Sequence, residues 1–515
     1  MKKITNNQLD ALFREAGYED SYEAEEEIDG MTGGEEEDNS YDTSGLVNIQ
    51  NVTRTQNGDI AYVSTGNKLI DILFQCNWLR THPDDITIGT SAKEGLFAMF
   101  MRDPRYGIGE KEVGRRLLRL SNVSLDDICK CGRADDIWRM FHGTSGERKA
   151  FDWLYDRIKA GDGLVKKWMP RFAVHNIKLN AEKQLYERRP FTTNQKLKNA
   201  VARRFADTYG MNKQQYKKLI KADTTERTLT EKRWDDVRFE HLPALCHMKY
   251  TKLFTTRPEF SERYKKYIED VKTGKKKINT SVATVYDVYR NAVRNQEFDA
   301  DMWYDQLEKI SLSCIPVVDV SGSMQTNDSI GKAVSLGYYL ANCSTYCKNQ
   351  FITFSTTPEL VTMDGDNFMD RLNRMKRANW DNTTNLGAVA DLLMKLNGEM
   401  PEWIVVMSDM QFDHGSTCRI TALMDSWRER GIQTKIVWWN LSTIKATTPQ
   451  MVAGGSIFMS GLSPMLLKYL SVGFDAEVFL DTLLDEYRKK IGPDAGVPVQ
   501  TVEQQEDRPK TIVQF

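Results

Sequence analysis

From about Gly66 onward apolar residues recur at helical spacing, first Leu69, Ile70, Leu73 and Phe74, then Leu96, Phe97 and Phe100. This period predicts one amphipathic helix after another up to about residue 312, ending in a connector with Val285, Val288, Tyr289 and Val293 on one face. The period then changes. Ile315, Val317, Val318 and Val320 form an apolar run of strand length, and Trp403 to Met407 form a second. Helices are expected over 329–348, 368–375, 386–396, 417–430 and 476–490, with strands over 351–354, 434–439 and 457–459. Such alternation specifies a doubly wound α/β sheet. The fold class is therefore multidomain: an α-helical region followed by an α/β domain.

The ends read differently. Between Glu19 and Asp38 there are eleven Asp and Glu and no Lys or Arg, so residues 1–45 are expected to be an acidic, disordered, solubilising tail. Within it, residues 6–16 could form a short amphipathic helix through Leu9, Leu12 and Phe13. Residues 493–515 mix Pro, Gln and charge like a flexible tail. The expected layout is a tail over 1–45, a helical domain over 46–312, an α/β domain over 313–492 and a tail over 493–515. A length of 515 residues accommodates these parts.

The eight cysteines show no Cys-x-x-Cys spacing, and the six histidines are dispersed. This favours reduced, buried thiols in a cytoplasmic protein over disulfides or a zinc site. The opening Met-Lys-Lys has no apolar core behind it, and no run approaches 18 apolar residues, so neither signal peptide nor membrane span is expected.

Candidate chemistry sits where the first strand run breaks into a polar turn carrying Asp319, Ser321 and Ser323. Open α/β sheets place ligands at that end of their strands. A polar loop over 381–385 and the pair Ser408-Asp409 after the second strand run can converge there. Carboxylate and hydroxyl oxygens suit Mg²⁺, or Mn²⁺, rather than Zn²⁺. This order of loops resembles the metal-ion-dependent adhesion site of von Willebrand factor A domains. The resemblance implies Asp319, Ser321, Ser323, Thr384 and Asp409 as metal ligands. The chain has Asn382-Thr383 where Gly-Gly is usual, so Thr383 is an alternative to Thr384, and Asn385 follows. Asp413 is expected to be structural and His414 a surface residue. No phosphate-binding Gly-x-x-x-x-Gly-Lys-Ser/Thr motif or positioned nucleophile accompanies the site, so no catalytic residue and no enzyme activity are expected. An open coordination position would instead seat a partner's carboxylate.

The helical region has its own recognisable words. Arg102-Asp103-Pro104-Arg105-Tyr106-Gly107-Ile108-Gly109-Glu110 opens a basic helix through Arg115, Arg116 and Arg119. Lys167-Trp168-Met169-Pro170-Arg171 is read as beginning a long helical stretch; Thr230-Glu231-Lys232-Arg233-Trp234 and Arg263-Tyr264-Lys265-Lys266-Tyr267 follow. Across about residues 66–492 the chain resembles the Ro autoantigen-like (TROVE-type) family, particularly its uncharacterised viral, plant and bacterial relatives. The resemblance implies antiparallel helix pairs of the HEAT type, curled into a ring or horseshoe and joined to a von Willebrand factor A domain.

Charge points the same way without any family. Residues 161–280 hold 29 Lys and Arg against 14 Asp and Glu, a surplus of 15. Trp168, Phe172, Tyr186, Phe191, Phe205, Tyr209, Tyr216 and Trp234 are interleaved with them, most expected in the core. Cations that neutralise phosphates beside rings that stack on bases suit single-stranded nucleic acid. The candidate RNA contacts are Arg105, Lys111, Arg115, Arg116, Lys166, Lys167, Arg171, Arg203, Arg204, Lys217 and Lys218. The expected function is that of a non-enzymatic, Ro-like RNA-binding protein with RNA as partner. The alternative is a metal-dependent protein-interaction scaffold, and a metal-dependent nuclease is the minor third.

Overall fold

The structure is a computed structural model; it describes residues 52–54, 60–62, 67–172, 177–180, 185–188, 191–280, 282–319, 324, 328–354, 357–378, 386–396, 400–409, 424–441, 456–460 and 476–498. Up to Gln306 the described elements are mostly helices, each burying one face. Helix Ala92–Arg102 opens with a capping box, in which Ser91 and Glu94 satisfy each other's backbone N–H, and it buries Leu96, Phe97, Phe100 and Met101. Helix Glu112–Leu120 packs back on it through Val113, Leu117 and Leu118.

The expectation of unbroken helix fails between Met169 and Phe191. Helix Gly163–Trp168 stops at Met169, whose ψ of 143° is extended because Pro170 disfavours helical geometry in the residue before it. A two-stranded antiparallel hairpin follows, pairing Ile177–Asn180 with Leu185–Arg188. A second hairpin pairs Val52–Arg54 with Ile60–Tyr62.

The α/β part forms one six-stranded sheet. Its strands are β1 (Cys314–Val318), β2 (Gln350–Thr353), β3 (Leu360–Thr362), β4 (Trp403–Ser408), β5 (Lys435–Asn440) and β6 (Ser456–Ser460), in the order β6-β5-β4-β1-β2-β3. All neighbours are parallel except the antiparallel edge pair β2–β3. β1 and β4 are buried along their whole length, as the apolar runs predicted. β3 is absent from the sequence reading because three residues carry too little pattern. Helix Ser329–Cys343 ends five residues short of the expected 348, where Ser344 turns its hydroxyl onto the Cys314 carbonyl.

The end of the chain returns to its beginning. Helix Ala476–Ile491 lies against helix Ala92–Arg102, with the Tyr487 and Phe100 rings edge to face at 5.5 Å. Tyr487 donates its hydroxyl to Asp103 Oδ2 at 3.2 Å, and Lys93 pairs with Asp481 at 2.6 Å. Gly95 and Gly496 let the two backbones touch: a Cβ on Gly95 would lie 2.1 Å from the Gly496 carbonyl oxygen, and Gly496 has a φ of +81°. Among the described residues no helix is long and apolar enough to cross a membrane.

Candidate metal loops and a basic helical surface

At the sheet's centre β1 and β4 run parallel, with Val318 opposite Met407. The next residue on each strand is therefore Asp319 beside Ser408, and Asp409 is one step further. The Asp319 amide donates to the Met407 carbonyl at 3.0 Å, and Ser408 donates its hydroxyl to Asp319 Oδ2 at 2.6 Å. Asp319 is fully buried and Asp409 is buried at 8 % exposure. Two of the expected ligands thus follow the C-terminal ends of adjacent strands. Ser408 joins them, a partner that the sequence showed only as a strand end. Ser321, Ser323, Thr384, its alternative Thr383, Asn385, Asp413 and His414 lie outside the described residues. Among the described residues no cluster of three or more His, Cys, Asp or Glu side chains could hold a metal. Two carboxylates and a hydroxyl are nonetheless the hard oxygen set that a small divalent cation takes.

The opening motif of the helical region turns out to be a structural knot. Arg102, only 2 % exposed, meets Asp136 Oδ2 at 2.9 Å, and Arg115 Nε meets Asp136 Oδ1 at 2.7 Å. Burial alone would push the Asp136 carboxyl up, but the Arg102 and Arg115 guanidiniums beside it hold it below the usual carboxylate range. Buried Asp103 accepts from the Arg105 amide at 2.8 Å, from its guanidinium and from Tyr487. Arg116 pairs with Asp84 at 2.8 Å and Arg204 with Glu147. Arg115 is thus withdrawn from any ligand surface, and Arg105, Arg116 and Arg204 already engage carboxylates. Pairing of this kind is invisible in a count of cations.

The other candidates sit differently. Arg171, Arg203, Lys217, Lys218 and Lys111 are exposed, Lys166 and Lys167 are half-buried, and none pairs with a carboxylate among the described residues. Helix Lys213–Leu219 and the segment at Arg171 are tied together. Tyr216 donates to the Pro170 carbonyl at 2.7 Å, the Phe172 and Tyr216 rings meet at 5.6 Å, and Lys213 lies 5.0 Å over Phe172. Lys213 and Lys217, one turn apart, share a helix face with each other. Lys213 was missed; its signal was that i, i+4 spacing to Lys217. Of the interleaved rings, Phe205 and Tyr216 are core, fully buried. Trp168 is half-buried between Arg133 at 4.1 Å and Lys167 at 5.4 Å, and half-buried Tyr209 stacks on Tyr155 at 4.2 Å.

The described chain is thus a helical array followed by a six-stranded, mainly parallel α/β sheet with Asp319 and Asp409 at the C-terminal ends of its central strands. Two protein-family models match it: Domain of unknown function (DUF2828) over residues 174–312 and Domain of unknown function (DUF7788) over residues 313–514. The chain is similar to an uncharacterized protein of Acanthamoeba polyphaga mimivirus, 23 % identical over 502 residues that span 82 % of this chain and 84 % of that protein. Among solved structures it is similar to the Deinococcus radiodurans RO (RSR) protein, with 11 % identity, a TM-score of 0.38, and coverage of 83 % of this chain and 94 % of that one. At that level the likeness adds nothing to the fold described above.

Proposed function

We infer that the protein binds RNA without transforming it, through the basic surface of its helical region, and that the loops at the sheet edge hold Mg²⁺ to dock a partner. One observation carries the reading: Arg171, Lys213, Lys217 and Lys218 pair with no carboxylate among the described residues, and Lys213 lies over half-buried Phe172, in a region with a surplus of 15 positive charges. Such cations gain by releasing counterions from phosphates, and a partly exposed ring offers a base a stacking face. The Ro-like resemblance of the sequence agrees with it. In this reading Asp319 and Asp409 hold the cation, and Ser408 fixes the orientation of the Asp319 carboxylate. Bound there, the ion would supply a Lewis-acid seat for a partner's carboxylate. The seven free cysteines described, four of them buried, suit a reducing cytoplasm.

The test is binding of the full chain to a mixed single-stranded RNA pool across a salt series with Mg²⁺. Four phosphate contacts predict a slope of log K against log salt of about −3. R171A/K217A/K218A should weaken binding and flatten that slope by about 2. Absence of binding at low salt refutes the reading. The paired acids favour the second reading, a protein-interaction scaffold: loss of partner capture in D319A, with RNA affinity unchanged, would support it. RNA turnover with Mg²⁺ that D319A abolishes would instead support a nuclease.

A further inference from the structure

Apart from both sites, a cleft of about 270 Å³ opens between the turn Phe239–His241 and helix Pro258–Lys272. Arg238, Arg263, Lys266 and Lys276 line it against Glu240 and Asp270, a surplus of two positive charges. The spacing explains the wall. Arg263, Lys266, Tyr267 and Asp270 recur at three- and four-residue steps and so form one stripe of the helix. Phe239 and Tyr267, almost fully buried, make its floor.

The charges are not equivalent. Lys276 Nζ lies 2.7 Å from Glu240 Oε1, a closed pair that holds the Glu240 carboxyl below its usual range. Arg263 donates from Nη2 to the Trp234 carbonyl at 2.8 Å, while its Nε–H is buried with no acceptor among the described residues. Arg238 and Lys266 are exposed and pair with no carboxylate among the described residues. Three cations over an apolar floor, with Asp270 at the rim pairing with no cation among the described residues, focus their field on a compact anion.

We propose that this cleft binds a terminal phosphate monoester on a small hydroxyl-bearing group, a sugar phosphate. Arg238 and Lys266 grip the phosphate, Arg263 adds its positive charge to the wall, and Asp270 accepts from a hydroxyl. A phosphate monoester carries about −1.5 to −2 charges near pH 7, matching the surplus, whereas an internal phosphodiester carries one. The volume lies just below the range of drug-sized pockets, which fits such a ligand. Its source is either a free sugar phosphate or the phosphorylated 5′ end of an RNA.

The full chain would be titrated calorimetrically with ribose 5-phosphate and with ribose, then with a short RNA bearing either a 5′-phosphate or a 5′-hydroxyl. R238A/K266A, two exposed positions, would be measured alongside, with its unfolding midpoint as the folding control. Ribose 5-phosphate binding that weakens as pH falls through about 6 and drops at least tenfold in the variant supports a free sugar phosphate. A tenfold preference for the 5′-phosphorylated RNA that the variant loses, without binding of the free sugar, supports the RNA end. Equal binding of phosphorylated and unphosphorylated probes, or a variant indistinguishable from wild type, overturns the proposal. The Arg171 and Lys217 surface is intact in this variant, so failure here is separate from failure of the RNA reading.

Discussion

Asp136→Asn separates the structural from the ligand-binding use of the arginines near residue 110. The carboxylate is completely buried and bridges two guanidiniums, Arg102 at 2.9 Å and Arg115 at 2.7 Å; it also accepts from the Arg133 amide at 2.9 Å. The amide keeps the shape but removes the charge, leaving Arg102 buried and uncompensated. Breaking a buried pair from one side costs about 3–5 kcal/mol. With a denaturant dependence of about 3 kcal/mol per molar, the urea midpoint should fall by roughly 1 M or more. Urea unfolding followed by far-UV circular dichroism reads the shift. R115A should fall by a similar amount, and D136N/R115A by clearly less than the sum, because both act on one network. RNA affinity measured well below the midpoint should be unchanged in both. A D136N midpoint within 0.2 M of wild type, or R115A losing RNA affinity at unchanged stability, would refute the structural assignment.

Three further outcomes follow from named contacts. His247 is fully buried with Nε2 on the Tyr264 hydroxyl at 3.0 Å, and burial pushes its pKa down to about 4. The fold holds it neutral while the unfolded chain protonates below about 6.5, so its contribution is level above that pH. About 3 kcal/mol is lost as pH falls from 6.5 to 4, and H247Q should flatten that window in urea titrations. Tyr487→Phe keeps the ring on Phe100 but removes the donor to buried Asp103; it should cost about 1.5–3 kcal/mol, read as a lower unfolding midpoint. Gly95→Ala drives a methyl into the Gly496 carbonyl, so limited proteolysis should cut the C-terminal segment sooner than in wild type, without a change in fragment pattern elsewhere.

What the sequence made legible was whatever depends on near neighbours. The strands at Cys314–Val318 and Trp403–Ser408, and helix Leu386–Leu396 with both its bounds, follow from unbroken apolar runs and a 3.6-residue period. That Asp319 and Asp409 follow adjacent strands was legible too, because parallel neighbours put their C-terminal ends side by side. What escaped was set by partners distant in the chain. Arg115 looks like a solvated helix cation until Asp136, twenty-one positions on, is folded beside it. The hairpin after Pro170 was hidden by a basic, aromatic stretch that reads as helix, although the proline itself marked the stop.

The two parts of the chain are also tied by side chains distant in sequence. Asp103 is held by Arg105, two residues away, and by Tyr487, from the last helix, so one carboxylate ties the opening motif of the helical region to the end of the α/β part. A second tie lies at the other seam. Tyr286 of the connector donates to Asp328 Oδ2 at 2.7 Å, and Lys376 donates to the Tyr289 hydroxyl at 2.6 Å. Asp328 sits at the start of helix Ser329–Cys343 in the left-handed region, φ +54°, and its side chain reaches the connector instead of capping its own helix. An Asp that forgoes the cap gives up about 1 kcal/mol locally. The contact it makes instead joins the start of helix Ser329–Cys343 to the connector helix Val285–Arg294. The helical region and the α/β part are therefore joined at both seams by buried or half-buried polar bonds.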